Sequence, residues 1–279
     1  MLFKDFIFNY KSFLVCLLKK KKYFTFLKRL VLLPYKYISS NLRDIFLNKN
    51  VDKLILKENK NNKSLNEILK YFDCDKSNLV HGYDKFYLRE LEEFKDFKMN
   101  ILEFGIHNGS SQAAFCKYFD KSNIFGVDKN PYYKKFYSKK IRSLYCDVSD
   151  RNSLKILKEY LKFEFDVIID DASHIPEHQL KTFIEMFDLV KSKGIYVIEE
   201  LDIFESFPEY YNKDFRVKTS EIRNFLHHFE SLDTTKIEET IKNSEILNLI
   251  KKIEWVKINR GDYVINGKNV SEIAFIKKK

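Results

Sequence analysis

Paired cysteines are missing from this chain. Cys16, Cys74, Cys116 and Cys146 stand apart with no C-x-x-C spacing, which argues against a zinc knuckle or a disulfide framework and points to a reducing, cytoplasmic compartment. A membrane span is missing too. The longest uncharged run of the N-terminal segment, residues 12–18, is far too short to cross a bilayer, and no small-residue cleavage site follows it. Glycine and proline are scarce, at seven and four residues, while Lys, Asn, Ile and Phe abound. Such a bias can follow the base composition of a genome and carries no functional weight here. The G-x-G-x-x-G dinucleotide fingerprint is also absent.

What is present is one core's worth of apolar chain, 44% hydrophobic and 16% aromatic over 279 residues. The net charge of +10 is unevenly spread: residues 1–40 hold eight lysines and one arginine against Asp5 alone. The remainder is nearly neutral and lacks the basic stripe that a nucleic-acid enzyme sets beside its active site. Phe and Leu interleaved with lysines in residues 1–40 suit an amphipathic helix making a peripheral contact with an anionic membrane surface. The alternative packs that helix on the body, or on a second subunit of a homo-oligomer, with its lysines in solvent. Residues 48–65 are polar enough for a linker. The expected division is therefore a basic helical extension over 1–70 and the main domain over 71–279.

From residue 100 short apolar runs alternate with helical stretches. Strands are expected at 100–106, 123–128, 143–148, 165–170 and 194–200, with helices at 110–119, 151–161 and from about 176 to 190. Alternation of this kind implies an α/β fold with a mostly parallel sheet. Two closing runs, "IEWVKIN" and "EIAFIKK", have the spacing of an antiparallel hairpin. In "LEFGIHNGSS" Gly105 and Gly109 let the backbone pass close to a ligand at the carboxyl end of a strand, where open α/β sheets bind theirs. Asp128 ends the second strand, where an acid can accept from a ribose diol. Asp147 follows the third and can accept from an adenine amine. Taken singly, each acid could equally be a turn or a cap.

The stretch "FDVIIDDASHIPEHQ" ends an apolar run in two adjacent carboxylates, with a histidine three residues beyond the second. Adjacent acids resist burial, so water, a helix start or a cation must accompany them. "HIPEH" also fits the inverted zinc-protease pattern H-x-x-E-H. Pro176 spoils that reading, because proline starts helices and breaks their interiors, leaving His174 ahead of the helix. His227 and His228, in a charged helical stretch, are expected at the surface.

The order acid-x-Gly, acid, Asp and terminal hairpin resembles the class I S-adenosylmethionine-dependent methyltransferases. More narrowly, "HGYDKFY", "ILEFGIHNGSS", "IFGVD", "FDVIIDDASH" and "GIYVIEEL" resemble the metal-dependent sugar O-methyltransferases of the macrocin, mycinose and tetracenomycin-rhamnose type, a group that includes cephalosporin-hydroxylase-like proteins. The resemblance spans residues 77–279. Ser110 stands where relatives often carry a second glycine, and "EE" at 199–200 where "ED" is usual. The resemblance implies a Rossmann-like sheet of seven strands. It places Glu103, Gly105, Gly109, Ser111, Asp128, Asp147 and Asp170 at S-adenosylmethionine, Asp170 alternatively capping the next helix. His81 and Tyr83 either close over the cofactor's methionine end or pack the entrance. Strands four and five are neighbours in such a fold, so Asp170 and Asp171 meet Glu199 and Glu200. That crowding of oxygen donors calls for a hard cation, Mg²⁺ before Mn²⁺. The resemblance makes Asp171, Glu199 and Glu200 its ligands and His174 the base that deprotonates a metal-polarised hydroxyl. The expected reaction is O-methylation of a sugar, in a bacterial surface polysaccharide or glycoside. The alternatives are a small aromatic or antibiotic-like hydroxyl, or nucleic acid engaged by the basic N-terminus. The stretch over 201–229 is expected to select the acceptor.

Overall fold

The computed structural model describes residues 3–19, 49–54, 63–207, 220–232, 237 and 244–279. Seven strands form one sheet: β1 (Asn100–Phe104), β2 (Asn123–Asp128), β3 (Ile141–Tyr145), β4 (Phe165–Asp170), β5 (Val190–Ile198), β6 (Ile253–Arg260) and β7 (Glu272–Lys278). Their order is β3-β2-β1-β4-β5-β7-β6. The first five are parallel, and β7 runs antiparallel to both β5 and β6. Strands covered on both faces need near-continuous apolar runs, which "NILEF" and "FDVIID" supply.

Alternation along each strand sorts the core into two layers. Leu102, Phe104, Ile168 and Tyr196 face the helices α5 (Arg151–Leu161), α6 (Pro176–Met186) and α7 (Glu221–Glu230). Ile101, Ile169, Val197 and Phe275 face α2 (Leu65–Tyr71), α3 (Asp84–Leu91) and α4 (Ser110–Tyr118). The chain leaves β1 toward β2 on one side and reaches β4 on the other. The carboxyl ends of β1 and β4 are therefore the switch point at which such sheets bind ligands.

Several boundaries differ from expectation: β1 stops at Phe104, short of residue 106, and β5 spans Val190–Ile198 where 194–200 was expected. The helix read over 176–190 ends at Met186, a short tight turn follows at Phe187–Leu189, and Val190 already pairs with Phe165. Phe187 and Val190 are buried as the helical pattern requires, but sheet pairing claims the second. The third strand ends at Tyr145. Beyond it the Asp147 carboxylate accepts from the Ser149 amide at 3.1 Å and hydroxyl at 2.5 Å, a local turn that competes with the sheet ladder.

The helix α1 (Phe3–Lys19) lies against β3, the outer strand of the sheet. Asn9 acts as a substitute strand: its side chain donates to the Ser143 carbonyl at 3.0 Å and accepts from the Tyr145 amide at 2.6 Å. Asp5, fully buried, takes Arg142 and the Tyr160 hydroxyl, and Phe8 stacks on Tyr160 at 3.9 Å. Pairing an open edge this way removes a template for aggregation. The buried face of α1 is thus spent on the body, while residues 20–40 of the expected membrane segment and 48 and 55–62 of the expected linker lie outside the described residues. No helix among the described residues is long and apolar enough to cross a membrane.

Candidate active site

The first half of the site is the turn after β1. Gly105 sits at φ +97°, and a Cβ there would lie 2.1 Å from the Asp171 carbonyl oxygen, so only glycine lets the tips of β1 and β4 meet. Gly109, at φ +84°, opens α4. Asp128 receives the Ile106 amide at 3.1 Å and the Asn130 amide at 2.7 Å. Each carboxylate oxygen keeps a second lone pair for a ligand. Beside these residues lies a cavity of about 290 Å³, lined by Gly105, Asp128, Asp147, Ser173, Ile175 and His178 among others.

The other residues expected at the cofactor do not line this cavity. Glu103 and Ser111 lie buried beneath the turn, where the Ser111 hydroxyl and the Gln112 amide both donate to Glu103 Oε2, the former at 2.9 Å. Burial pushes the Glu103 carboxyl up to about 7. Asp170 is also buried, and its Oδ2 finds no hydrogen-bond partner among the described residues. Burial, and then the charge of Asp171, push it up to about 8. Tyr83 is fully buried and stacked on His81 with centroids 4.9 Å apart. Gly109 stands away from the cavity on the far side of the turn.

The second half gathers at the tips of β4 and β5, where the Glu199 amide donates to the Asp170 carbonyl at 3.0 Å. Asp171 and Glu199 converge on a cation that the sequence did not mark. Lys76 Nζ lies 2.5 Å from Asp171 Oδ2, 2.9 Å from Glu199 Oε2 and 3.7 Å from Glu103 Oε1, in a side chain 1% exposed. The Tyr87 hydroxyl donates to the other oxygen of Glu199. Glu200 turns instead to two histidines, His81 Nε2 at 3.0 Å and His174 Nε2 at 3.1 Å, and His174 Nε2 is also 4.0 Å from Asp171 Oδ1. His81 is anchored behind by Ser271 Oγ at 3.1 Å from its Nδ1, so it serves Glu200 and does not line the cavity.

The electrostatics follow from this pairing. Burial pushes Glu200 up, but His174 and His81 more than offset it and hold the carboxyl at about 2. Burial raises Asp171 and Glu199 despite Lys76. Burial alone would lower Lys76, but Asp171, Glu199 and Glu103 outweigh it and raise the ammonium well above its ordinary value. His174 and Glu200 both sit in the left-handed backbone region, at φ 54° each. Non-glycine residues hold that conformation at a cost of about 1–3 kcal/mol, and it concentrates at functional sites. As the proline implies, α6 starts at Pro176 and leaves His174 outside the helix, so His174 and His178 share no helical face. His227, expected at the surface, pairs with the buried Glu272 at 3.1 Å.

Among the described residues no group of three or more His, Cys, Asp or Glu is already arranged around one point as metal ligands. The three expected ligands are adjacent but divided, two on Lys76 and one on the histidines. The donor chemistry nevertheless fits a hard divalent ion: the set is all oxygen, and Asp171 Oδ1 and Glu200 Oε2 face the same spot beside His174.

No family model matches the chain. The fold is the Rossmann-like methyltransferase fold: the structure of MycE methyltransferase from the mycinamycin biosynthetic pathway, in complex with Mg, SAH and mycinamycin VI, aligns with TM-score 0.57 at 20% identity, covering 78% of this chain and 55% of MycE. In sequence, the chain is similar to sugar O-methyltransferases of antibiotic pathways. The 8-demethyl-8-alpha-L-rhamnosyl tetracenomycin-C 2'-O-methyltransferase of Streptomyces olivaceus is 26% identical over 163 residues, 54% of this chain and 43% of that protein. Demethylmacrocin O-methyltransferase of Streptomyces fradiae is 30% identical over 146 residues, 49% of this chain and 36% of that protein. The chain thus spans less than half the length of these curated relatives.

Proposed function

We propose that this chain transfers a methyl group from S-adenosylmethionine to a sugar hydroxyl with the help of Mg²⁺. One observation carries the reading: residues 171–175 belong to both halves of the site. Asp171 and His174 stand in the acidic cluster, while Ala172, Ser173 and Ile175 line the cavity. A methyl donor held in that cavity would sit against a hydroxyl held at the cluster, which is the alignment that methyl transfer needs.

In this reading Asp128 accepts from the cofactor's ribose and Asp147 from its adenine, with Glu103 and Ser111 bracing the glycine turn from below. Asp171, Glu199 and Glu200 would hold the ion, which when bound polarises the acceptor hydroxyl. His174 takes the hydroxyl proton, and Glu200 and Asp171, 3.1 and 4.0 Å from its Nε2, stabilise the resulting imidazolium. Sugar acceptors are supported by the names of the relatives. The finer proposal is a sugar of a surface polysaccharide or glycoside, modified at the cytoplasmic face. Residues 208–219 of the expected selecting segment lie outside the described residues.

The test is methyl transfer from S-adenosylmethionine to a panel of deoxysugar glycosides and catechols with Mg²⁺ present, read by mass spectrometry. Methylated sugar is the expected product. Transfer confined to catechols would overturn the sugar assignment.

A further inference from the structure

One loop, residues 72–83, brings cationic or imidazole partners to all three carboxylates of the acceptor side. It is closed on itself by backbone bonds from His81 to Asp75, Gly82 to Ser77 and Asp84 to Lys76. From it Lys76 reaches Asp171 and Glu199, and His81 reaches Glu200. A buried ammonium is tolerated only where carboxylates surround it. Here it has three, including Glu103 from the cofactor side.

We infer that Lys76 is the resident counter-ion of this site: it holds Asp171 and Glu199 together in the absence of a divalent ion and opposes that ion's entry, tuning its affinity. The second half rests on the metal reading proposed above, while the first stands on contacts alone. Lys76 acts through the carboxylates and is a positioning residue. Its ammonium sits on the Asp171 oxygen opposite the one that faces His174 and Glu200. An ion held there would feel a like charge a few ångströms away across a single carboxylate.

The experiment compares wild type, K76M, K76R and K76M/E103Q, all stripped with chelator, by thermal melting and by Mn²⁺ calorimetry. Without metal, K76M should melt about 10 °C lower, the scale of a broken buried pair in a chain of this size. K76M/E103Q removes one of the three buried carboxylates, the one outside the proposed ligand set, and should recover part of that loss. K76M should bind Mn²⁺ about tenfold or more tightly than wild type, and K76R within about threefold of it. Mn²⁺ should also raise the melting temperature of K76M more than that of wild type. If K76M does not fold, the double variant carries the test, and its failure to fold overturns the inference. A double variant no more stable than K76M would make Lys76 a packing residue. Weaker Mn²⁺ binding by K76M would make it an organiser of the ligands and overturn the opposing role. Absence of Mn²⁺ binding in every variant would defeat the metal reading and the opposing role together, leaving the melting comparison to judge the counter-ion.

Discussion

The two sides of the switch point satisfy their acids by different means. On the cofactor side Asp128 and Asp147 are partly exposed and are answered by backbone amides and a hydroxyl from within a few residues or the neighbouring turn. On the acceptor side Asp171, Glu199 and Glu200 are answered by side chains: Lys76 and His81 from a distant loop, Tyr87 from the helix after it, and His174 from the adjoining turn. Hydrogen-bonded acids with spare lone pairs suit reversible binding of a neutral diol or amine. Charges balanced in a buried cluster suit a site that must hold an ion and manage a proton. The contrast implies that the two sides can be damaged independently.

The largest expected effect comes from His174. His174→Ala should lower turnover on the true acceptor by about 10²–10⁴, the scale of a positioned general base, while leaving S-adenosylhomocysteine affinity unchanged by calorimetry. A parallel loss of affinity would show that the two sides are not separable. Next, Asp128→Ala should weaken cofactor binding by about 1.5–3 kcal/mol, since it removes charge-assisted hydrogen bonds to the ligand. Turnover at saturating cofactor should stay close to wild type, and unchanged affinity would place the cofactor elsewhere.

The smallest effect concerns the support behind the acceptor side. Glu272, whose carbonyl accepts from the Leu201 amide, is buried among Arg223, Arg260 and His227. Burial pushes its carboxyl up, but His227 and Arg223 more than offset that and hold it at about 2, below its ordinary 4.5. A depressed carboxyl contributes stability that is full above pH 4.5 and is lost as pH falls through about 2. Glu272→Gln should therefore cost about 2 kcal/mol in urea unfolding at neutral pH. The deficit should shrink steadily below pH 4.5, and a deficit independent of pH would assign it to packing.

The same contrast explains what could be read from the amino-acid order. The strands at 123–128 and 165–170 and the helix at 151–161 were legible to the residue, because apolar runs and a 3.6-residue period are local. Asp128 and Asp147 were legible as residues beside the cavity because acids at or just beyond a strand's end announce their own turns. Gly105 was found for an incomplete reason, since its nearest demand is the Asp171 carbonyl on another strand. Lys76 left no mark at all. Its partners lie 95 and 123 residues away, and one lysine among 50 basic residues has no local signature. Tyr87, 112 residues from Glu199, was hidden for the same reason. The need for a cation beside adjacent carboxylates was physically sound, but a charge requirement does not say whether an ion or a side chain from the chain itself answers it.

One titration bears most directly on the division between the two sides. Protein stripped with a chelator is given S-adenosylmethionine and a deoxysugar glycoside, and both S-adenosylhomocysteine affinity and methyl transfer are followed as Mg²⁺ is restored. The account predicts that affinity is already close to its final value without the ion, while transfer starts near zero and rises with Mg²⁺. Full transfer in the chelated protein, with Mg²⁺ adding nothing, would contradict it.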